Sequence, residues 1–385
     1  GNLVPRDVAT REIFFKYLEG YGIGGQPMVY LDLSHLDSSY TRNKLGAILE
    51  IYEKFAGENP TEVPMKIFPG VHYTMGGLWA GYDATVENRL DWESPNNQMT
   101  NIPGLYASGE ADWQYHGANR LGANSLLSCV FGGKVVAHST LAYQQGLSRH
   151  ADQVSSKLFD DALARCKAEE DAIKNNQGGE NPYSLHVELG EWMTKNVTVI
   201  RDNKSLDETL KKLDEIRERS KNISITDKGA YANHGLTFTR WMRGMVDLGM
   251  ACAQSARLRD ESRGAHYKPE FELKQPEGMN PKEYWVWLDE NRPEAFKDHY
   301  ATWFDNVDHE KQKYWLHGHA YEGIKQKALA KGIAPDHAEY FQKFTDETMK
   351  WNKPTLATWK ADGRPEINYG EVKMELMPPM PRKYD

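Results

Sequence analysis

Cysteine is scarce. The 385 residues contain three, Cys129, Cys166 and Cys252, far apart and without a Cys-x-x-Cys pair. They cannot ligate an iron–sulfur cluster alone, and a reducing compartment is the simplest reading. No long basic run is present and the formal net charge is −8, so nucleic-acid binding has little support. No apolar run approaches the ~20 residues that cross a bilayer. Any membrane association is therefore expected to come through a partner. There is no charged-then-apolar leader and no initiating methionine. The chain opens on Gly1-Asn-Leu-Val-Pro5, already in mid-pattern, and is expected to start at a cut, a processing site or a gene split. No Gly-x-Gly-x-x-Gly follows a strand, so half of the expected cofactor site is not in this chain.

The length suggests about two to three domains and a substantial core. Pro5 suits a first helical turn, and Ile13, Phe14 and Leu18 recur at helical spacing, so residues 5–19 read as a helix. Val29 to Leu33 alternates like a strand, Ser39 to Phe55 reads as a second helix, and Pro60, Pro64 and Pro69 mark an irregular connection. This stretch, 1–68, is too small to be an obvious independent domain. Between 71 and 108 the pattern is of strands and turns, with Leu78 to Val86 one candidate strand and Leu105-Tyr-Ala-Ser-Gly109 a short buried one. Asn124 to about Gln144 reads as a helix capped by Asn124 or Ser125 and apolar on most faces, which implies burial. Strand, glycine turn and buried helix have the shape of the C-terminal part of a dinucleotide-binding fold.

Residues 150–260 read as a bundle of three or four helices. Ala151 to Lys174 is amphipathic, Ser205-Leu-Asp-Glu208 is a capping box, and Leu236 to Arg259 is long and half apolar. From Glu261 the chain is rich in Trp, Tyr, His and charge, and ends in Met377-Pro-Pro-Met-Pro-Arg-Lys-Tyr384 before Asp385. That suggests a wrapping segment with short helices, one near Pro335 to Thr348.

The most informative run is His116-Gly-Ala-Asn-Arg-Leu-Gly-Ala-Asn-Ser-Leu-Leu127. Arg120 sits there among Gly117, Gly122 and Asn124. A guanidinium fork grips a carboxylate in two places, and neighbouring glycines let a ligand approach the backbone. His72 precedes Tyr73-Thr-Met-Gly-Gly77; it reads equally well as a donor to a carboxylate or as a satisfied core histidine. His116 is expected only to hydrogen-bond backbone. Glu110, after Gly109, stands where dinucleotide folds place an acid on a ribose or ribityl hydroxyl. The helix starting near Ser125 would turn its free N–H groups toward this loop and stabilise anionic charge on a reduced flavin ring. Arg6, in Pro5-Arg-Asp-Val8, reads by composition as structural.

With these segments in place the chain resembles the flavoprotein subunit of succinate dehydrogenase and fumarate reductase, of the FAD-dependent oxidoreductase 2 family. The matching runs are Pro5-Arg-Asp-Val-Ala-Thr-Arg11, His72-Tyr-Thr-Met-Gly-Gly77, Gly104-Leu-Tyr-Ala-Ser-Gly-Glu110, His116 to Leu127 and Glu261-Ser-Arg-Gly-Ala-His266. Their order and spacing agree over nearly the whole chain. The resemblance implies an α/β FAD-binding fold, C-terminal part only, with part of an α+β capping domain, a helical-bundle domain and an irregular C-terminal domain. The implied spans are 1–68 for the cap, 69–149 for the FAD domain, 150–260 for the helical domain and 261–385 for the last.

The resemblance also implies roles. Arg6 would shuttle the proton at substrate carbon, His72 and Arg120 would bind the substrate carboxylates, and Glu110, Ser125 and Leu126 would contact FAD. Hydride would pass between the flavin and the C2–C3 unit of succinate or fumarate, with desolvation by a closed cap and polarisation by His72 and Arg120. Implied partners are an iron–sulfur subunit and membrane anchor subunits of complex II, on the cytoplasmic face of the bacterial inner membrane. The family's glycine fingerprint, flavin-linking histidine, second substrate histidine and Thr-Glu pair lie upstream of Arg6 and are not in this sequence. The chain alone is therefore expected to bind FAD poorly and to be inactive without its missing N-terminal FAD-binding half. Trp113-Gln-Tyr115 and the aromatic tail resemble the bacterial menaquinone-linked members more than the mitochondrial ones. L-aspartate oxidase shares the fold and much of the His116 run but usually has Ala-Ser where this chain has Gly122-Ala123, and a shorter tail. Adenylylsulfate reductase departs from the context of His72. A non-catalytic fragment that docks the iron–sulfur subunit is the alternative from a different class.

Overall fold

The computed structural model describes residues 6–86, 89–279, 323–360 and 363–370. The proline- and methionine-rich end singled out above lies outside the described residues. The described residues divide into two compact units, 6–72 and 73–370.

The first unit holds helix α1 (Arg6–Leu18), strand β1 (Val29–Leu31), helix α2 (Ser38–Ala56) and strand β2 (Met65–Ile67). The strands pair antiparallel, Val29 opposite Ile67 and Leu31 opposite Met65. The proline-marked connection therefore contains a strand, which lies between Pro64 and Pro69 where neither ring removes a ladder donor. Helix α2 starts because the Asp37 carboxylate accepts from Tyr40 N at 2.7 Å, and ends at Gly57 in the left-handed region, φ 70°. The stretch that looked too short to be an obvious domain keeps a small core of Phe14, Leu49, Thr41 and Met65. Phe14, Tyr17 and Phe68 close a triangle of rings with centroids 5.8–6.1 Å apart. Gly20-Tyr-Gly-Ile-Gly-Gly25 has the spacing of a dinucleotide fingerprint, but it leaves a helix and enters a strand, the reverse of what phosphate binding at a helix N-terminus requires.

The second unit opens with irregular chain. The strands expected at Leu78–Val86 and Leu105–Gly109 are absent as strands. Leu78 makes a single bridge to Asp112, Ala84 to Leu90 and Tyr106 to Met99. Leu105 is exposed, and only Ala107 of that stretch's apolar residues is fully buried. Glycines and prolines at Gly76, Gly77, Gly81, Pro95, Pro103 and Gly104 break every ladder after one step. The backbone is satisfied across loops instead, by Gly81 N to Met99 O (2.9 Å), Gln98 N to Gly81 O (2.7 Å) and Ala107 N to Gln98 O (2.9 Å).

Helix α3 (Asn124–Gly146) follows. Its buried stripe is Ser128, Gly132, Val135 and Ser139, small residues at helical spacing that let the loops pack close. The expected burial on most faces is not found. Leu126, Leu127, Val130 and Leu141 are exposed, because the described residues cover one side of a helix whose composition suits cover on two. The segment Asn124–Gln153 is also long and apolar enough, by length and composition, to cross a membrane. The sequence holds no continuous apolar run there because Gly, Ser, Thr and Lys134 interrupt it.

The helical part comprises α4 (Ser156–Asn175), α5 (Pro182–Met193), α6 (Asn203–Ser220) and α7 (His234–Leu258). They share a core of Ile173, Leu185, Leu189, Leu206, Leu213, Ile216, Met242, Val246 and Met250. The cap of α6 is Asp202 rather than the expected Ser205. Its carboxylate accepts from Ser205 N at 2.8 Å, so the serine is already inside the first turn. Helices α8 (Ile324–Ala330) and α9 (Pro335–Trp351) build a second small core around Ala328, Ala338 and Phe341. The hairpin of β3 (Thr355–Trp359) and β4 (Pro365–Tyr369) was not expected from sequence. Arg259, just past α7, ties this part down through Trp351 O, Lys353 O and Thr355 Oγ1.

Candidate functional site

Of the residues picked from sequence, Arg6 and His72 belong to the first unit, and Glu110, Arg120, Ser125 and Leu126 to the second. Arg6 is the exposed first residue of α1, and His72 is exposed in irregular chain.

In the second unit the His116–Leu121 loop is held over the first turn of α3. Arg120 is 7% exposed, yet among the described residues its guanidinium donates only to the Leu121 carbonyl, at 3.2 Å, and lies 5.2 Å from the Tyr73 ring centroid. Among the described residues no carboxylate pairs with it. A buried guanidinium with most of its five donors uncommitted is costly unless an anion completes it. Tyr73 also meets His116 edge to face, at 5.1 Å. Tyr73 lies within the run His72–Gly77, whose sequence points to His72 and not to it. An aromatic beside a site histidine was the available signal.

His116 does not bond to backbone as expected. Its Nε2 lies 3.3 Å from Ser128 Oγ, which itself donates to Ser125 O at 2.8 Å. The serine proton is thereby committed, so the imidazole donates and its Nε2 carries the hydrogen. Burial, and secondarily the Arg120 charge, hold His116 below the usual histidine range and favour this neutral form.

Glu110 sits in a tight turn, Gly109–Ala111, and accepts from Thr74 N at 2.9 Å while its side chain stays exposed. Gly109 is required there. Its φ is 63°, and a Cβ would lie 2.8 Å from Cys129 Sγ of α3. The residue before α3 is Ala123, itself left-handed at φ 65°, and no side chain caps the helix, contrary to the expected Asn124 or Ser125. Its first N–H groups are thus left for something other than a cap.

Behind the loop stands the Glu261–His266 run. Ala265 N donates to Ala118 O at 2.7 Å, and a Cβ on Gly264 (φ 58°) would reach within 2.3 Å of that oxygen. Glu261, 4% exposed, takes Arg259 at 2.6 Å and Arg263 at 2.8 Å, one on each oxygen. His266 accepts from Arg201 at Nδ1 and donates from Nε2 to Arg259 O at 2.8 Å. Both partners require the neutral ring, and burial beside the Arg201 charge pushes its pKa down to about 3.

A profile described as "Fumarate reductase flavoprotein C-term" matches residues 186–329, and one described as "FAD binding domain" matches residues 1–126. The chain is 51% identical over 275 residues to the succinate dehydrogenase flavoprotein subunit of Bacillus subtilis, covering 70% of this chain and 44% of that protein. It is 31% identical over 273 residues to the fumarate reductase flavoprotein subunit of Haemophilus influenzae, covering 70% and 43%. A solved mutant of E. coli quinol fumarate reductase aligns over 99% of this chain and 51% of its own, with 25% identity and a TM-score of 0.67. The chain thus spans less than half the length of these curated relatives. The cofactor is FAD, and the residues present fit it. An uncapped helix start offers N–H groups to an anionic edge, exposed Leu126 offers apolar surface to a ring, and exposed Glu110 can accept from a hydroxyl. The two matched regions, the identity to the curated flavoprotein subunits and the matching runs make this chain a member of the succinate dehydrogenase and fumarate reductase flavoprotein family of FAD-dependent oxidoreductases.

Proposed function

We propose that this chain is part of the catalytic flavoprotein of a succinate:quinone oxidoreductase that interconverts succinate and fumarate. The observation that carries the reading is Arg120, a nearly buried guanidinium with no carboxylate partner among the described residues. In this reading Arg120 grips one substrate carboxylate and His72 donates to the other. Tyr73, against the guanidinium, holds its plane. Arg6 removes or delivers the proton at the neighbouring carbon. Glu110, Ser125 and Leu126 hold the FAD, which when bound supplies the hydride acceptor or donor. The N–H groups at the start of α3 stabilise the negative charge that develops beside them. Residues 1–68 form part of the cap, 69–149 part of the FAD domain, 150–260 the helical domain and 261–385 the C-terminal domain. Electrons leave to an iron–sulfur subunit, and anchor subunits hold the assembly at the cytoplasmic face of the bacterial inner membrane. In this reading activity also requires an N-terminal FAD-binding half that is not in this sequence.

The test is made on the intact flavoprotein, with succinate-driven dye reduction and dicarboxylate binding measured in the same preparation. Arg120→Lys is expected to weaken succinate binding by about tenfold or more, since a point charge does not reproduce a two-point grip. Arg6→Lys is expected to abolish turnover while dicarboxylate binding persists. Normal KM in the first variant, or near-normal rate in the second, overturns the assignment of that residue.

A further inference from the structure

A buried polar cluster begins two residues beyond Glu110. Asp112 is 3% exposed, and its carboxylate accepts from Tyr82 Oη at 3.2 Å, Gln98 Nε2 at 3.2 Å and Gln114 N at 3.0 Å. The hydroxyls of Tyr82 and Tyr115 are 2.6 Å apart, and Gln98 Nε2 also donates to Tyr115 Oη. Burial raises the Asp112 pKa above the usual carboxylate range. Gln98 is fully buried, its Oε1 has no hydrogen-bond partner among the described residues, and its backbone is left-handed at φ 61°. An orphaned acceptor and a strained backbone both destabilise a fold. Together they mark a place where local geometry is held against its own preference.

The cluster has no slack. A Cβ on Gly132 of α3 would meet Ser108 Oγ at 2.7 Å, Gln98 Nε2 at 2.9 Å and Tyr115 Oη at 3.1 Å. A Cβ on Gly77 would meet Ala111 O at 2.3 Å, and Gly109 is pressed on Cys129. Leu78 N donates to Ala111 O at 2.8 Å, and Asp112 N to Gly109 O at 3.1 Å, closing the turn that carries Glu110. The segment 108–115 is therefore fixed against residues 77–78, against Gln98 and against α3 at once. Glu110 itself is exposed and makes one bond, to Thr74 N. Its own contacts do not hold its direction; its neighbours do.

We infer that Tyr82, Gln98, Asp112 and Tyr115 are positioning residues that aim the Glu110 carboxylate at the flavin. The inference rests on the reading that Glu110 contacts FAD. The hydrogen bonds of the four run to one another and to the turn. They act through the turn, as supporting hydrogen bonds act on a directly bound group. The chemistry asks for this arrangement because a carboxylate on a mobile turn would present an averaged field to the flavin.

The experiment is a double-mutant cycle read by the two-electron midpoint potential of the flavin in the intact flavoprotein. Tyr82→Phe removes one hydroxyl at constant volume. It is expected to change the relative affinity for reduced and oxidised flavin about tenfold, a shift of ~30 mV. Glu110→Gln is expected to shift the potential at least as far. The Tyr82→Phe shift should then vanish in the Glu110→Gln background. Asp112→Asn should show the same loss of effect. A Tyr82→Phe variant with a lowered melting temperature and an unchanged potential, or shifts that simply add, overturns the inference and leaves the role of Glu110 standing. An unchanged potential in Glu110→Gln overturns the inference, and an unchanged potential together with unchanged FAD affinity means that Glu110 does not contact FAD, so that both readings fall.

Discussion

At the scale of the residue, this protein uses charge where burial ought to forbid it. Arg120 is buried without a carboxylate partner among the described residues, Lys268 is fully buried, and Glu261 is 4% exposed between two arginines. The last two are satisfied by neighbours: Lys268 Nζ donates to Asn203 at 2.7 Å and Asp260 at 3.0 Å. Arg120 differs: among the described residues its guanidinium donates to one carbonyl, which is the basis of the binding role proposed for it. His266 gives a pH test. Its folded pKa, about 3, lies below the unfolded value, so the unfolded chain binds the proton first as the pH falls. Its contribution is fully present above about pH 6.5 and is lost between there and about 3. Unfolding free energy measured by denaturant from pH 7 to 4 should therefore fall, and His266→Gln should flatten that slope by roughly 2–4 kcal/mol across the range. An unchanged slope means that Arg201 and Arg259 do not hold the ring neutral.

At the scale of the element, caps and stripes decide the structure more than propensity does. Helix α6 begins at Asn203 because the Asp202 carboxylate takes Ser205 N. Asp202→Ala is expected to lower stability by about 1 kcal/mol in chemical denaturation. Ser205→Ala should have little effect, which discriminates the observed cap from the capping box read from sequence. Helix α3 has the opposite design. It starts uncapped at a left-handed alanine and packs through Ser128, Gly132, Val135 and Ser139. A helix end left without a side-chain cap is exposed to any anion that reaches it, while the middle of α3 is committed to packing.

At the scale of the whole molecule, the described residues leave large apolar side chains uncovered. Phe55 and Ile48 on α2, and Leu126, Leu127, Val130 and Leu141 on α3, are all exposed. The chain purified by itself is expected to bind a hydrophobic dye and to self-associate, and Leu127→Glu with Val130→Lys should reduce both. Sedimentation and dye fluorescence check this; no change on substitution means that the α3 face is not responsible. The helices α1, α2, α3, α4, α6, α7 and α9 were legible in sequence to within a few residues, because periodic apolar spacing is local. The run His116–Leu127 likewise exposed Arg120 as a candidate site residue, because glycines around an arginine are visible without a fold. The strands expected at Leu78 and Leu105 dissolved into single bridges, since alternation does not say whether a partner chain lies alongside. That Tyr73 stacks on Arg120, that Ser128 fixes the tautomer of His116, and that Asp112 is buried among Tyr82, Gln98 and Tyr115 were decided by tertiary structure alone. Each depends on residues distant in sequence arriving at one point, and hydrogen-bond geometry exists only once they have arrived.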